Sequence, residues 1–403
     1  TAGVLMGLAV SNQFLQFNAN TEVFLLTPML LSLGCALTGL RGGSMWWFAA
    51  AGVSAGLATM TKQIAVLEAF AVVIGLRFAV QTGAMSWSRM LKATGLFAAS
   101  GLACTAAIAL PWVISGHFSA FWYAVVTYNT AYAQAPPLDR LTALAAIPAP
   151  VLVASAWLWI GALAGLAFTL ARRVDAAMAA TIATMTAAYL GAAAPARDYA
   201  HYWVTVAPFA AIFAAIACIA IAERWPRRQS AAPMVAIGAV VAVSVITAGS
   251  VYVRSPEEAH LRKYEQRINA QRAISGTEVA DFVRLHSEPD DRIFVLGVES
   301  QIFARADRMP ATYFTRPISA FAIDEAASFD RTVRELRASP PRLIVDSARV
   351  NEHSATGSVV QSGVRDLAPH LRQPFDELIA ERYRFIGEVA FARVYERIEP
   401  PAQ

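Results

Sequence analysis

The sequence predicts a polytopic α-helical membrane protein, with about nine transmembrane helices in residues 1–253, followed by a small soluble α/β domain in residues 254–403. Three observations predict it. Of the 403 residues, 56% are hydrophobic and only 15% charged, whereas an ordinary soluble chain carries about 25% charged residues. The charge is unevenly spread: residues 1–253 hold 12 basic and 6 acidic side chains, residues 254–403 hold 21 and 23. Apolar runs long enough to cross a bilayer recur through the charge-poor part. A secreted enzyme, a disordered chain and a nucleic-acid binder are excluded, because the basic excess of the first part sits in short loops between those runs.

The chain enters an apolar run at once, from Thr1 through Ala2-Gly3-Val4-Leu5-Met6, with neither a charged flank nor a signal-peptide pattern. That pattern predicts a truncated chain. Cys35, Cys104 and Cys218 lie in separate apolar runs and read as small buried hydrophobes, not as a disulfide frame or a metal site.

Charges, prolines and polar clusters cut the first part into runs at 2–17, 22–40, 44–61, 63–80, 92–111, 146–171, 177–194, 202–222 and 232–252. Arg41, then Arg77, Arg89 and Lys92, then Arg172 and Arg173, then Arg224, Arg227 and Arg228 fall in every second connection. The positive-inside rule places these in the cytoplasm. The outer connections are then 18–21, the turn near Lys62, 112–145 and 195–201, and the domain after Tyr252 is periplasmic in a Gram-negative cell.

Residues 112–145 carry Trp112, His117, Phe118, Phe121, Trp122, Tyr123, Tyr128, Asn129 and Tyr132 ahead of Pro136-Pro137 and Asp139-Arg140. Aromatics with one polar edge settle at headgroup level, so one or two short helices along the outer interface are expected. Two readings stand side by side: a plain aromatic belt, or a wall that guides a lipid or acceptor into a cavity, with His117, Tyr128, Asn129 and, from 18–21, Asn20 as its polar positions.

Charges in or beside membrane helices are costly and tend to mark function. Of the six acidic residues, Asp175 and Glu223 neighbour cytoplasmic arginines and read as loop charges, and Glu68 lies where an ion pair with Lys62 is plausible. Glu22, Asp139 and Asp198 remain on the outer side. Glu22 follows Asn18-Ala19-Asn20-Thr21 and opens a helix, where a capping residue and a first-turn carboxylate also suit the helix dipole. Lys62 is one of three lysines against 30 arginines; a compact ammonium there can neutralise a phosphate or snorkel to the interface. The densest cluster is Pro195-Ala196-Arg197-Asp198-Tyr199-Ala200-His201-Tyr202-Trp203. Arg197 suits a bidentate phosphate contact, and His201 can donate or carry a proton; an Arg197–Asp198 pair with an interfacial aromatic anchor is the structural alternative.

Asn-Ala-Asn-Thr-Glu (18–22), Ala-Gly-Val-Ser-Ala-Gly-Leu-Ala-Thr-Met-Thr-Lys (51–62) and Arg-Asp-Tyr-Ala-His-Tyr-Trp-Val-Thr-Val-Ala-Pro (197–208) together resemble the membrane glycosyltransferases of the GT-C class. The branch is the one similar to protein O-mannosyltransferases, the aminoarabinose transferase of lipid A and the galacturonosyl transferases of rhizobial lipopolysaccharide. The resemblance extends over nearly the whole chain. It implies a transferase that takes a sugar from a polyprenyl-phosphate carrier at the outer face of the bacterial inner membrane and gives it to a cell-envelope acceptor: lipid, glycan or protein. It also implies an acidic catalytic group in the first outer loop, which is expected to lie before residue 1. By carry-over, Glu22 and Lys62 line the cavity, and Arg197, His201 and Tyr202 lie near the carrier phosphate. Lys62 and Arg197 would balance charge on the leaving phosphate. Glu22 or Asp198 is the substitute candidate to take the acceptor proton. No Cys/His metal spacing exists; a carboxylate-held divalent cation stays open.

From Arg254 a charged amphipathic helix is expected to run to about Leu285, interrupted near Gly276. A buried strand follows at 292–297, a helix around 325–338, a second strand at 342–346 after Pro340-Pro341, and a strand pair over 383–397. Strands alternating with helices give a small α/β unit, and no Gly-rich phosphate loop follows the first strand. Asp346 ends a strand, where acceptor recognition or structural support of the outer cavity is favoured over catalysis. Two other classes compete with sugar transfer: a transporter or lipid flippase, and a membrane-anchored scaffold with an outer binding domain. Paired broken helices and an internal repeat, the marks of a transporter, are not evident, and a scaffold leaves the outer polar clusters unexplained.

Overall fold

Apolar runs fold as helices here because a chain poor in polar side chains must satisfy its backbone internally. The computed structural model describes residues 21–134, 136–145, 147, 149–196, 199–223, 267–297, 299–317, 320, 325–347, 369–390 and 392–398, with isolated positions 238, 242, 255 and 258. The chain forms two compact units, Thr1–Val253 and Arg254–Gln403.

In the first unit, α1 (Thr21–Leu40), α2 (Trp46–Thr61), a 3-10 turn (Gln63–Ala65), α3 (Val66–Gln81) and α4 (Trp87–Ile114) come first. Short elements follow: α5 (Phe118–Trp122), a π turn (Tyr123–Thr127), α6 (Tyr128–Tyr132), α7 (Pro137–Ala145) and α8 (Ala149–Ala154). Then come α9 (Ala156–Leu170), α10 (Ala176–Ala193), a second 3-10 stretch (Ala200–Thr205) and α11 (Ala207–Glu223). Among the described residues four helices are long and apolar enough to cross a membrane: Thr21–Leu40, Gln63–Gln81, Trp87–Ile114 and Ala176–Ala193. The expected runs 2–17 and 232–252 lie outside the described residues. Three others are shorter than expected. The run at 44–61 yields a 16-residue helix. The run at 146–171 is divided where Ser155 leaves helical geometry, and the run at 202–222 gives its first turn to the 3-10 stretch.

Sequence-local caps set several helix starts. Ser86 accepts from the Arg89 amide at 3.3 Å. Asp175 accepts from the Met178 amide at 2.8 Å and so caps α10, a more definite job than that of a loop charge. Glu223 does meet a neighbouring arginine, Arg172, at 3.6 Å. The Arg89 guanidinium reaches the Gly43 carbonyl at 3.0 Å, tying the start of α4 to the turn after α1.

Close packing then assembles the bundle: α2 lies along α1 and α4, α3 along α10, and α9 along α11. Glycines set how near the backbones come. A Cβ on Gly52 would fall 2.1 Å from the Phe97 carbonyl oxygen, and one on Gly165 only 1.8 Å from that of Phe213. Gly52 and Gly56, and likewise Gly161 and Gly165, repeat the four-residue spacing that lets helices touch in lipid. Large apolar side chains such as Phe24, Leu31, Phe70, Ile74, Leu102 and Leu163 remain exposed, as they must if hydrocarbon is their solvent.

The second unit contains α12 (Arg267–Leu285), β1 (Arg292–Leu296), α13 (Gln301–Ala306), β2 (Met309–Pro310), α14 (Glu325–Ala338), β3 (Leu343–Asp346), α15 (Pro369–Arg382), β4 (Tyr383–Val389) and β5 (Ala392–Arg397). The sheet order is β2-β1-β3-β5-β4; β1 pairs parallel with β2 and β3, and β5 pairs antiparallel with β3 and β4. Arg-Ile-Phe-Val-Leu is apolar almost throughout because both faces of the sheet are covered. Ile293 and Val295 meet Val279 and Val283 of α12 and Ile302 of α13; Phe294 and Leu296 meet Leu336 of α14 and Phe375 and Leu378 of α15. The helix expected to break near Gly276 runs through it. Its expected beginning around 257–264 falls outside the described residues except for position 258. The last three strands are tied by charge: Glu396 accepts from Arg342 at 2.6 Å and from Arg384 at 2.5 Å.

Two outcomes are expected. Gly165→Val forces α9 and α11 apart and lowers stability by about 1–3 kcal/mol, measured by thermal unfolding of the detergent-solubilised protein. Glu396 has its pKa lowered, first by the Arg384 bond, with burial opposing and Arg342 assisting. A depressed carboxylate contributes stability above its unfolded pKa, about 4.3 for glutamate, and loses it as pH falls through the folded value. Glu396→Gln therefore flattens the acid limb of denaturant midpoint against pH for this unit.

Candidate functional site

Three separate segments of the first unit bring polar side chains to one end of the bundle. Glu22 stands in the first turn of α1 and is buried to 1% exposure. Lys62 follows α2 in extended geometry, φ −156° and ψ 124°, which breaks the helix and releases its side chain from the α2 surface. His201 and Tyr202 lie in the 3-10 stretch that leads into α11. Because α1 starts where α2 ends, a carboxylate and an ammonium 40 residues apart in sequence meet: Lys62 Nζ pairs with Glu22 Oε1.

The remaining geometry gathers around that pair. Thr21 Oγ1 donates to Glu22 Oε2 at 3.2 Å, so both carboxylate oxygens are engaged. His201 Nε2 lies 3.9 Å from Glu22 Oε1. The Lys62 ammonium sits 4.0 Å above the centre of the Tyr202 ring, within cation–π range. Tyr202 and Tyr132 share a hydrogen bond of 2.8 Å between their hydroxyls. The His201 ring stacks on Tyr199 at 5.4 Å and meets the edge of Tyr202 at 4.8 Å. Behind them Trp203 contacts Tyr189 and Trp159 edge to face, and the Trp159 indole donates to Ser155 Oγ at 3.0 Å. The Lys62 and His201 side chains keep 19% and 30% of their surface open, whereas Glu22 is enclosed.

Electrostatics follow from this burial. Desolvation lowers the Lys62 pKa from the ordinary lysine value, while Glu22 pulls it back up through charge and hydrogen bond. Burial, then the Tyr132 bond, raises the Tyr202 phenol well above its usual range, so Tyr202 stays neutral. The arrangement can present a cation held from behind by a buried carboxylate, beside an imidazole, to an anionic group arriving from the open side. Glu22 is placed to orient Lys62 more readily than to meet a substrate.

Of the residues singled out in the sequence, Glu22, Lys62, His201 and Tyr202 come together. Lys62 pairs with Glu22 and not with Glu68, the partner its sequence distance favoured; Glu68 turns into the bundle. His117 is exposed. Asn129 donates to the Ala124 and Val125 carbonyls at 2.9 and 3.2 Å within its own helical stretch, and Tyr128 beside it is half-buried. Asp139 is exposed in the first turn of α7. Asn20, Arg197 and Asp198 lie outside the described residues. Tyr132 and Tyr199 were not singled out; only their membership of aromatic outer segments marked them. No group of three or more His, Cys, Asp or Glu side chains suited to a metal occurs among the described residues.

A second polar cluster lies in the other unit, at the carboxyl ends of the parallel strands. Arg372 clasps fully buried Asp346 through two bonds of 2.5 and 3.2 Å and also meets Asp376 at 2.9 Å. Burial opposes the Arg372 charge, but the hydrogen bonds outweigh it and raise the pKa. Ser347 Oγ donates to the buried Glu299 carboxylate at 2.5 Å. Asp346 is thus a structural anchor.

The fold and site define a helical membrane-type protein with a polar cluster at one end of its bundle and a small mixed-sheet unit. Comparison with models of known protein families and with curated proteins finds no match.

A double-mutant cycle tests the site's central pair. Lys62→Met leaves an uncompensated buried carboxylate and Glu22→Gln an unbalanced ammonium, and each is expected to cost about 3–5 kcal/mol. The double variant is expected to lose clearly less than their sum, read by thermal unfolding in detergent.

Proposed function

We propose that this chain is a glycosyltransferase of the GT-C type, moving a sugar from a polyprenyl-phosphate carrier to a cell-envelope acceptor at the outer face of a bacterial inner membrane. The observation that supports it most directly is the Lys62 ammonium, fixed by buried Glu22 and flanked by His201 and Tyr202 with one side open. In this reading about nine spans make the bundle, the site end faces the periplasm, and residues 254–403 form a periplasmic domain. The aromatic helices between 118 and 145 lie along the outer interface, with Leu138 and Leu141 exposed toward lipid.

The chemistry runs through charge balance. Breaking the bond between the sugar and the carrier phosphate leaves its electron pair on a phosphate oxygen and builds cationic character on the sugar ring. A preorganised cation at that oxygen lowers the barrier most. Lys62 takes this part, with Arg197, His201 and Tyr202 completing the phosphate contacts. Glu22 holds Lys62 in place. Asp198 takes the proton of the acceptor hydroxyl. A divalent cation held by carboxylates remains compatible with this reading, and a chelator added to the assay below measures that need.

The test is turnover of polyprenyl-phosphate sugars by the protein in membranes. Lys62→Ala and Arg197→Ala are each expected to lower turnover by about 10²-fold or more, and Lys62→Arg to recover only part of it, because a guanidinium that forks to both Glu22 oxygens and stacks flat on Tyr202 is a larger group with its donors turned from the open side. Unchanged turnover in both alanine variants sinks the site assignment.

A further inference from the structure

Inside the first unit, away from the Glu22–Lys62 pair, a cavity of about 10 Å³ lies between α1, α2, α3 and α10, room for one water molecule. Its wall is apolar except for three oxygen-bearing side chains. Glu68 enters from α3, Ser32 from α1 and Thr184 from α10, while α2 contributes Ala55 and Ala58. Among the described residues the cavity wall carries no second charged or titratable side chain, and α4, which also packs on α3, places nothing in it. Thr184 donates its hydroxyl to the Ala180 carbonyl at 2.8 Å, which leaves its lone pairs to accept. Ser32 is 6% exposed and, like Glu68, makes no hydrogen bond or ion pair with another described residue. Lys62, the nearest cation along the chain, is held by Glu22.

Glu68 is half-buried, and on the side where its carboxyl meets the cavity an anion would be an uncompensated charge against apolar side chains, a costly state. A neutral carboxylic acid removes that cost and gains an O–H donor. One water in the cavity can then accept from Glu68 and connect to the Ser32 and Thr184 hydroxyls, giving it the two to four partners that buried water takes. We infer that Glu68 is a proton-binding site of the helix bundle, its carboxyl kept protonated at neutral pH and bridged by one internal water to Ser32 and Thr184. The site stands independently of sugar transfer.

Infrared difference spectra of the whole protein in lipid vesicles, recorded against pH, read the proton directly. The protein is expected to show a carboxylic-acid C=O band at neutral pH that disappears entirely in Glu68→Gln. Ser32→Ala is expected to keep the band and shift its frequency, because the hydrogen-bonding around the acid changes; this variant keeps the test open if Glu68→Gln does not fold. Absence of the band at neutral pH, or its survival in Glu68→Gln, overturns the inference. Loss of the band when potassium is replaced by sodium would mark a metal-cation site instead and overturn it equally.

Discussion

The contact between Glu22 and Lys62 is the constraint around which the first unit is arranged. Lys62 occupies the one extended residue between α2 and the turn that begins the next helix, and its ammonium crosses to the first turn of α1. Holding that crossing requires α1 and α2 to be antiparallel and level at one end. The same requirement brings the 3-10 stretch at 200–205 against them, since Tyr202 supplies the ring under the ammonium and His201 the imidazole beside the carboxylate. A buried ion pair contributes little net stability against a well-packed apolar alternative, but breaking one is expensive. Its value here is geometric: it fixes which residues face one another.

The two units use the same physical device with different donors. Asp346 in the second unit is as enclosed as Glu22, and Arg372 reaches it with a bidentate fork from α15 as Lys62 reaches Glu22 from the end of α2. The difference lies in the donor. A guanidinium satisfies both Asp346 oxygens and a second acid, Asp376, so among the described residues its fork is taken up by protein carboxylates. An ammonium satisfies one oxygen, rests on an aromatic face and retains an open side. The same contrast explains why one cluster reads as a site and the other as a brace.

Much of the architecture was legible from residues alone. The runs at 22–40, 63–80, 92–111 and 177–194 correspond to long helices because an apolar segment of bilayer length has few other solutions. In the second unit, the short apolar runs around 293–296 and 343–346 correspond to strands for a similar reason. What escaped was long-range or locally ambiguous. Sequence distance makes Glu68 a plausible partner for Lys62, because proximity in sequence is the only proximity a sequence displays; the break in backbone geometry at Lys62 turns it toward a residue 40 positions away. The helix at 369–382 carries Leu371, Phe375, Leu378 and Ile379 at helical spacing, yet Pro374 and its charges obscured that stripe. The division at Ser155 reflects a hydroxyl that bonds the Val151 carbonyl and the Trp159 indole at once, a local choice that hydropathy does not register. Among the site residues, Glu22, Lys62, His201 and Tyr202 stood out as polar groups at the ends of apolar runs, whereas Tyr132 was one aromatic among many.

Tyr132 owes its place to the π turn at Tyr123–Thr127. A π turn contains one residue more than an α turn, so every side chain beyond it is rotated by about 100° relative to an uninterrupted α-helix. The extra residue works as a phase shift in the helical repeat, and its effect is felt where the Tyr132 hydroxyl meets that of Tyr202. The identity of the aromatic residues in this segment is therefore only half of what the segment encodes; the other half is their number. A relative with the same composition but one residue fewer between Trp122 and Tyr128 would present a different phenol, or none, to the ring that carries Lys62.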